Sequence, residues 1–194
     1  MIIGITGKIG SGKHTAARIL EEQGFFLIDA DKLAHDLYLR GSKIWHQLAD
    51  AFGEKIIGKD DEIDRSELGK IVFADSEKLR KLNSIVHPDL KSFIKAEIKR
   101  AQNQNKKNIV VVAALADELN LKSLVDKVLL VQAPLNKRIE LLTENRGMEE
   151  KEILKRNELQ KETSFYDFKI LNEGSLEEFK NKLSFLSSSE FHPL

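Results

Sequence analysis

The 194-residue chain contains no cysteine. Disulfides, thiolate metal sites and thiol catalysis are therefore excluded, which suits a reducing cytoplasmic compartment. It also lacks net charge, with 31 basic residues against 31 acidic ones. That balance removes the broad basic footprint that nucleic acid or an anionic membrane requires, so neither is expected as a partner; a local basic patch for a small anion remains compatible with it. No apolar run approaches membrane-spanning length, and no basic segment precedes the first apolar residues. Met1 to Ile5 reads as a core strand, and a soluble, intracellular protein is expected. Internal repeats and low-complexity segments are absent as well.

What the chain does have is concentrated near its start. Gly7 to Lys13 follows the pattern G-x-x-x-x-G-K, within the stretch Gly4-Ile5-Thr6-Gly7-Lys8-Ile9-Gly10-Ser11-Gly12-Lys13-His14-Thr15. Two glycines and a lysine at that spacing arise by chance in roughly one chain in twenty of this size. Context raises the weight of the match: an apolar strand precedes it and a helical pattern starts at Lys13. In that setting the glycines let backbone N–H groups converge on a phosphate, and the helix N-terminus adds free amides and its positive dipole end. Gly10, Ser11, Gly12, Lys13, His14 and Thr15 are thus the candidate phosphate-binding residues. The position after the lysine usually supplies a hydroxyl to Mg²⁺, and here it is His14. Magnesium prefers hard oxygen ligands, so imidazole is a poor substitute, and Thr15 sits about 100° further round the helix.

Along the chain, Gly24 ends the first helix, and Phe25 to Ile28 forms a short apolar run consistent with a buried parallel strand. It leads into Asp29-Ala30-Asp31, two acids where open α/β sheets place their chemistry. Either acid alone would read rather as a cap for the helix beginning near Lys32, and it is the pair beside the phosphate loop that favours chemistry. Residues 32–104 are mostly helical, with a polar loop over 56–63 and an interruption expected at His87-Pro88. They exceed a usual crossover and predict an inserted helical lobe. Arg65 and His87 are candidate ligands there; a surface ion pair and a helix-end hydrogen bond explain them as well. Further strands are expected at 109–112, 128–131 and 168–171. Between the last two, residues 135–161 read as two charged helices broken at Gly147, a lid able to bring Arg138, Arg146 and Arg156 to a phosphate or simply a solvated face. A helix over 176–186 and a tail at 187–194 complete the chain.

Strands alternating with helices predict an α/β fold: a parallel sheet of the P-loop NTPase type with helices on both faces, an inserted helical substrate lobe and a helical lid. The nucleotide-binding core would comprise 1–31, 105–134 and 162–186. The guanine-reading N-K-x-D pattern is absent, and the strand ending at Val112 runs into Ala113-Ala114-Leu115-Ala116 before Asp117-Glu118, unlike a motor ATPase. A small-molecule kinase needs a phosphate cradle, a carboxylate near the acceptor hydroxyl and mobile cations, and candidates for all three are present.

The residues resemble the dephospho-coenzyme A kinase family. The resemblance lies in Ile3 to Lys13, Ile28-Asp29-Ala30-Asp31-Lys32-Leu33-Ala34-His35, Phe52-Gly53, Asp64-Arg65, Val72 to Asp75, Leu82 to Pro88 and Asn172 to Ser175. It implies ATP- and Mg²⁺-dependent phosphorylation of the ribose 3′-hydroxyl of dephospho-coenzyme A, the last step of coenzyme A synthesis. It further implies Asp31 and Lys13 as catalytic residues, Arg138 as a catalytic lid cation and Arg146 as a second lid residue. Arg65, Asn83 and His87 would lie around the acceptor, and Asn172 and Gly174 around adenine. His14, Val112 and the segment Ala114 to Glu118 depart from the family pattern. The other readings are a catalytically weakened nucleotide-binding relative of the same fold and a kinase for another alcohol or nucleoside.

Overall fold

The computed structural model describes residues 1–187, so positions 188–194, nearly all of the expected tail, lie outside the described residues. Five strands form one sheet: β1 (Ile2–Thr6), β2 (Phe26–Asp29), β3 (Ile109–Val112), β4 (Lys127–Gln132) and β5 (Phe168–Leu171). All neighbours are parallel, in the order β2-β3-β1-β4-β5. The helices are α1 (Lys13–Glu22), α2 (Ala30–Asp36), α3 (Lys43–Phe52), α4 (Arg65–Ala74), α5 (Ser76–Asn103), α6 (Leu135–Arg146), α7 (Glu150–Leu159) and α8 (Leu176–Leu183). The chain divides into two compact units, one made of Met1–Asp29 and the chain from Glu97 onward, the other of Ala30–Ala96.

In the first unit, strand alternation decides which side chains meet. Ile3 and Ile5, Val110 and Val112, and Leu129 and Val131 join Ala16, Ile19 and Leu20 of α1 and Phe179 and Leu183 of α8 in one buried cluster. The intervening residues Ile109, Val111, Val128 and Leu130 are also at most 2% exposed, so both faces of the sheet are covered. On that second face Gly4 lies under Leu121, and a Cβ there would come within 2.9 Å of the leucine side chain. A sheet buried on both faces reads as continuous β-branched sequence, which is why 109–112 was legible as a strand. The crossover from β1 leads to β2 on one side of β3, whereas the chain after β3 passes to β4 on the far side of β1. The carboxyl ends of β1 and β3 are therefore the switch point where such sheets bind ligands.

The second unit is helical around Leu37, Ile44, Leu48, Ile56, Leu68 and Val72, all at most 8% exposed. Ser42 caps α3 by accepting from Trp45 N at 3.0 Å, and Asp64 caps α4 by accepting from Ser66 N and Glu67 N at 2.9 and 3.0 Å. Two expectations are corrected. The polar loop at 56–63 is a small hairpin: Ile57 bridges Ile63 antiparallel, Gly58 N donates to Glu62 O at 2.8 Å, and Ile56 and Ile63 are buried. Nor does His87-Pro88 interrupt the helix, because α5 runs through Pro88. Proline there removes one backbone bond and crowds the preceding turn, a loss of about 3 kcal/mol. Opposing it, Val86, Leu90, Ile94 and Ile98 form one buried stripe at four-residue spacing that passes the proline unbroken. Burying each such side chain contributes roughly 1.5–3 kcal/mol, so the stripe outweighs the break.

Candidate active site

β1 delivers the chain to the switch point, and residues 7–12 turn there before α1 begins. The turn closes through Ser11 N donating to Lys8 O at 3.1 Å. Gly12 caps α1 in the left-handed region, φ 96°, with no side-chain cap and no acid in the first turn. The first amides of α1 and its positive dipole end thus face the loop uncompensated by any capping carboxylate or hydroxyl, the arrangement that favours an anion. Two glycines are required by contact as well as by conformation. A Cβ at Gly7 would strike the Val131 carbonyl, and one at Gly12 would strike the side-chain amide of Asn172. Lys13 is 8% exposed, and Thr15 is exposed.

The loop is held from outside by residues far along the chain. Asn172, just beyond β5, donates Nδ2 to Ser11 O at 3.1 Å. Ile9 N donates to Gln160 Oε1 at 2.7 Å, and Lys8 Nζ to Asn157 O at 3.2 Å. Arg138, 7% exposed, spreads its guanidinium over three acceptors: Ala133 O at 3.1 Å, Ile9 O at 3.2 Å and Asn157 Oδ1 at 2.9 Å. Burial pulls its pKa down while the Glu162 carboxylate opposes the shift. Ile9 itself is seated among Leu142 and Ile153, with Ile139 and Met148 alongside. Gly147, left-handed at φ 61°, makes the turn between α6 and α7 that brings Arg138 and Asn157 together.

Beside the loop lies an open cavity of about 270 Å³, bounded by Lys8, Ser11, Ala133, Arg138, Glu162 and Leu171 among others. The Ser11 hydroxyl is buried and has no hydrogen-bond partner among the described residues. An unpaired buried hydroxyl is unfavourable by about 1–3 kcal/mol, which a polar ligand would relieve. An anion with several oxygens fits this set: uncapped amides, a lysine, and a hydroxyl to spare.

Near the tip of β2, Asp29 Oδ2 lies 3.5 Å from His14 Nε2, the carboxylate 10% and the imidazole 39% exposed. Across β2 and β3 the residue in register with Asp29 is Val112, which contributes no carboxylate. Arg146 closes α6 and is exposed; Gly174 precedes the capping box of α8 and accepts Lys137 Nζ on its carbonyl at 2.7 Å. In the second unit, Asp31 is exposed in the first turn of α2, and Arg65 opens α4 beside the half-buried Tyr38. Burial raises the Tyr38 pKa to about 12 against the opposing charge of Arg65. Asn83 and His87 stand four residues apart on α5, both half-buried on one face of the helix.

The sequence matches the dephospho-CoA kinase family over residues 1–178. The chain belongs to that family. The dephospho-CoA kinase of Carboxydothermus hydrogenoformans is 38% identical over 186 residues, covering 94% of this chain and 90% of that protein. That of Oceanobacillus iheyensis is 36% identical over 187 residues, covering 94% of each. Among solved structures, TT1252 from Thermus thermophilus superposes with a TM-score of 0.79 at 30% identity, over 100% of this chain and 98% of that one. A shikimate kinase from Acinetobacter baumannii, at 18% identity and a TM-score of 0.53 over 98% and 95% of the chains, shares the fold.

For this dephospho-CoA kinase family member, sequence reasoning missed Asn157 and Gln160. They sit three residues apart at the end of α7 and the position after it, polar residues in a charged stretch with nothing to separate them from a solvated face. Their contacts with Lys8 and Ile9 span about 150 positions of sequence, and no periodicity records such a pairing. Asp117 was set aside as a departure from the family pattern, and it has a structural task. Its carboxylate accepts from the Thr163 hydroxyl and from Ser164, tying the turn after β3 to the segment before β5.

Proposed function

We propose that this chain transfers the γ-phosphoryl group of ATP to the ribose 3′-hydroxyl of dephospho-coenzyme A, giving ADP and coenzyme A. Family membership across residues 1–178 carries the reading. The uncapped start of α1, the buried Lys13 and the unpartnered Ser11 hydroxyl support a polyphosphate in the loop. In the reaction the ribose oxygen bonds to the γ-phosphorus while the bond from that phosphorus to the β–γ bridging oxygen breaks. The ribose proton passes to the Asp31 carboxylate, and the charge left on ADP is met by Lys13 and the loop amides. Positioning counts for more than basicity here, because the transition state is loose and an ordinary carboxylate is a weak base.

The remaining roles follow the division of the chain. Residues 32–104 carry the acceptor, with Arg65, Asn83 and His87 as its ligands, and Asn172 and Gly174 border the adenine of ATP. Residues 135–161 cover the nucleotide, Arg138 stiffening the loop and Arg146 supplying an outer cation. A divalent cation bound with ATP would neutralise phosphate charge; Asp29 would offer it an oxygen, whereas the His14 imidazole does not fit the preference of Mg²⁺. The protein is cytoplasmic in this reading; among the described residues no helix is long and apolar enough to cross a membrane. Release of ADP should require both ATP and dephospho-coenzyme A and fall by about 10²–10³ in Lys13→Ala. ATP turnover indifferent to dephospho-coenzyme A, with another alcohol phosphorylated instead, would overturn the assignment.

A further inference from the structure

The residue that follows the phosphate-loop lysine poses a problem of coordination chemistry. A serine or threonine hydroxyl there would give a divalent cation a hard oxygen, but this chain places His14, and the imidazole is turned toward a carboxylate. His14 Nε2 and Asp29 Oδ2 are 3.5 Å apart, longer than a normal N–H···O hydrogen bond of about 2.7–3.2 Å. Two ligands at about 2.1 Å from one metal ion lie about 3.0 Å apart at a right angle and about 3.4 Å apart at the tetrahedral angle. The observed separation is thus near the tetrahedral bite and about 0.5 Å wider than the right-angle bite of an octahedral ion such as Mn²⁺. Both atoms belong to the unit that carries the phosphate loop, one on the first turn of α1 and the other at the tip of β2.

Mg²⁺ demands oxygen donors and gives up water reluctantly, whereas imidazole suits first-row transition ions, with affinity rising from Mn²⁺ through Co²⁺. We infer that the cation accompanying the nucleotide is held in this chain through the His14 imidazole and the Asp29 carboxylate, which makes Mn²⁺ its preferred partner over Mg²⁺. This deepens the kinase reading and rests on it only for a nucleotide in the loop, not for the identity of the acceptor.

The test uses the full chain with ADP and Mn²⁺, without dephospho-coenzyme A, and reads the metal directly. Pulsed electron paramagnetic resonance of the bound Mn²⁺ should show coupling to a histidine nitrogen that changes when the protein is labelled with ¹⁵N-histidine and disappears in His14→Ser. In parallel, titration of each cation into the ADP complex should show the ratio of Mn²⁺ to Mg²⁺ affinity falling by about tenfold in His14→Ser and in Asp29→Asn, the loss expected when a ligand of a metal centre is altered. Comparing ratios cancels the intrinsic preference of ADP itself, and His14→Ser, on a partly exposed helical turn, preserves the fold. Absence of histidine coupling, or an unchanged ratio in both variants, overturns the inference. Failure to phosphorylate dephospho-coenzyme A would contradict the acceptor assignment and leave the nitrogen signal intact, so the two ideas fail separately.

Discussion

Arg138→Lys is the substitution that separates a loop-holding role from a purely electrostatic one. It keeps the positive charge and most of the aliphatic stem but replaces a planar fork by a point donor. The guanidinium now bonds Ala133 O, Ile9 O and Asn157 Oδ1 at once, and an ammonium at that depth can replace one of these. Each bond from a charged donor contributes about 1.5–3 kcal/mol, so losing two removes about 3–6 kcal/mol before relaxation. Water from the adjoining cavity re-solvates part of what is exposed, leaving a net destabilisation of about 2 kcal/mol, or about 4–8 °C in melting temperature for a chain of this size. Because the lost partners include the carbonyl of Ile9, inside the phosphate loop, ATP binding weakens together with stability, by about tenfold from 1.4 kcal/mol of lost loop order. Differential scanning fluorimetry and isothermal titration with ATP read the two effects on one preparation. A lysine variant with unchanged melting temperature and unchanged ATP affinity would refute the idea that the fork anchors the loop; unchanged stability with a large fall in kcat would return Arg138 to direct contact with phosphate.

Other consequences follow from the second unit. Tyr38 ionises near pH 10 when unfolded and at about 12 when folded, because burial opposes the phenolate. Between those values the unfolded chain holds fewer protons than the folded one, so stability falls as pH rises through that window, by about 2 kcal/mol in all. Urea unfolding at pH 9 and pH 11 should show about half of that loss in the native chain and much less of it in Tyr38→Phe. Pro88→Ala restores a backbone donor inside α5 and should stabilise the chain by about 1–3 kcal/mol; a lower melting temperature would show that the proline is needed where it stands.

Much of this was legible in the sequence, and the reasons are specific. Ile109 to Val112 announced itself because a strand covered on both faces leaves no polar alternation to hide it. The phosphate loop was readable because conformation and contact both demand glycine: Gly12 is left-handed and abuts Asn172, so few other residues can stand there. Pro88 misled because a local rule for helix breaking ignores the buried stripe from Val86 to Ile98 that overrides it. The hairpin at Ile57 and Ile63 was hidden by its polar turn, since only the two residues at its ends carry the apolar signal. Least legible was the clasp on the loop. Arg138 and Gln160 act on backbone atoms of Ile9, and Asn157 receives the Lys8 ammonium on its own backbone carbonyl; hydrogen bonds to main chain leave no trace in the identity of the residue that supplies it.

The central claim is that a polyphosphate seated on the start of α1 gives its terminal phosphoryl group to a ribose hydroxyl under the direction of Asp31. Its most direct test is the position of the new phosphate, read by ³¹P and ¹H nuclear magnetic resonance after incubating the purified chain with ATP and dephospho-coenzyme A. A phosphomonoester coupled to the ribose H3′ proton, formed in step with ADP and about 10²–10³ more slowly with Asp31→Asn, is the predicted result. Phosphate on any other oxygen, or release of inorganic phosphate alone, would contradict the account.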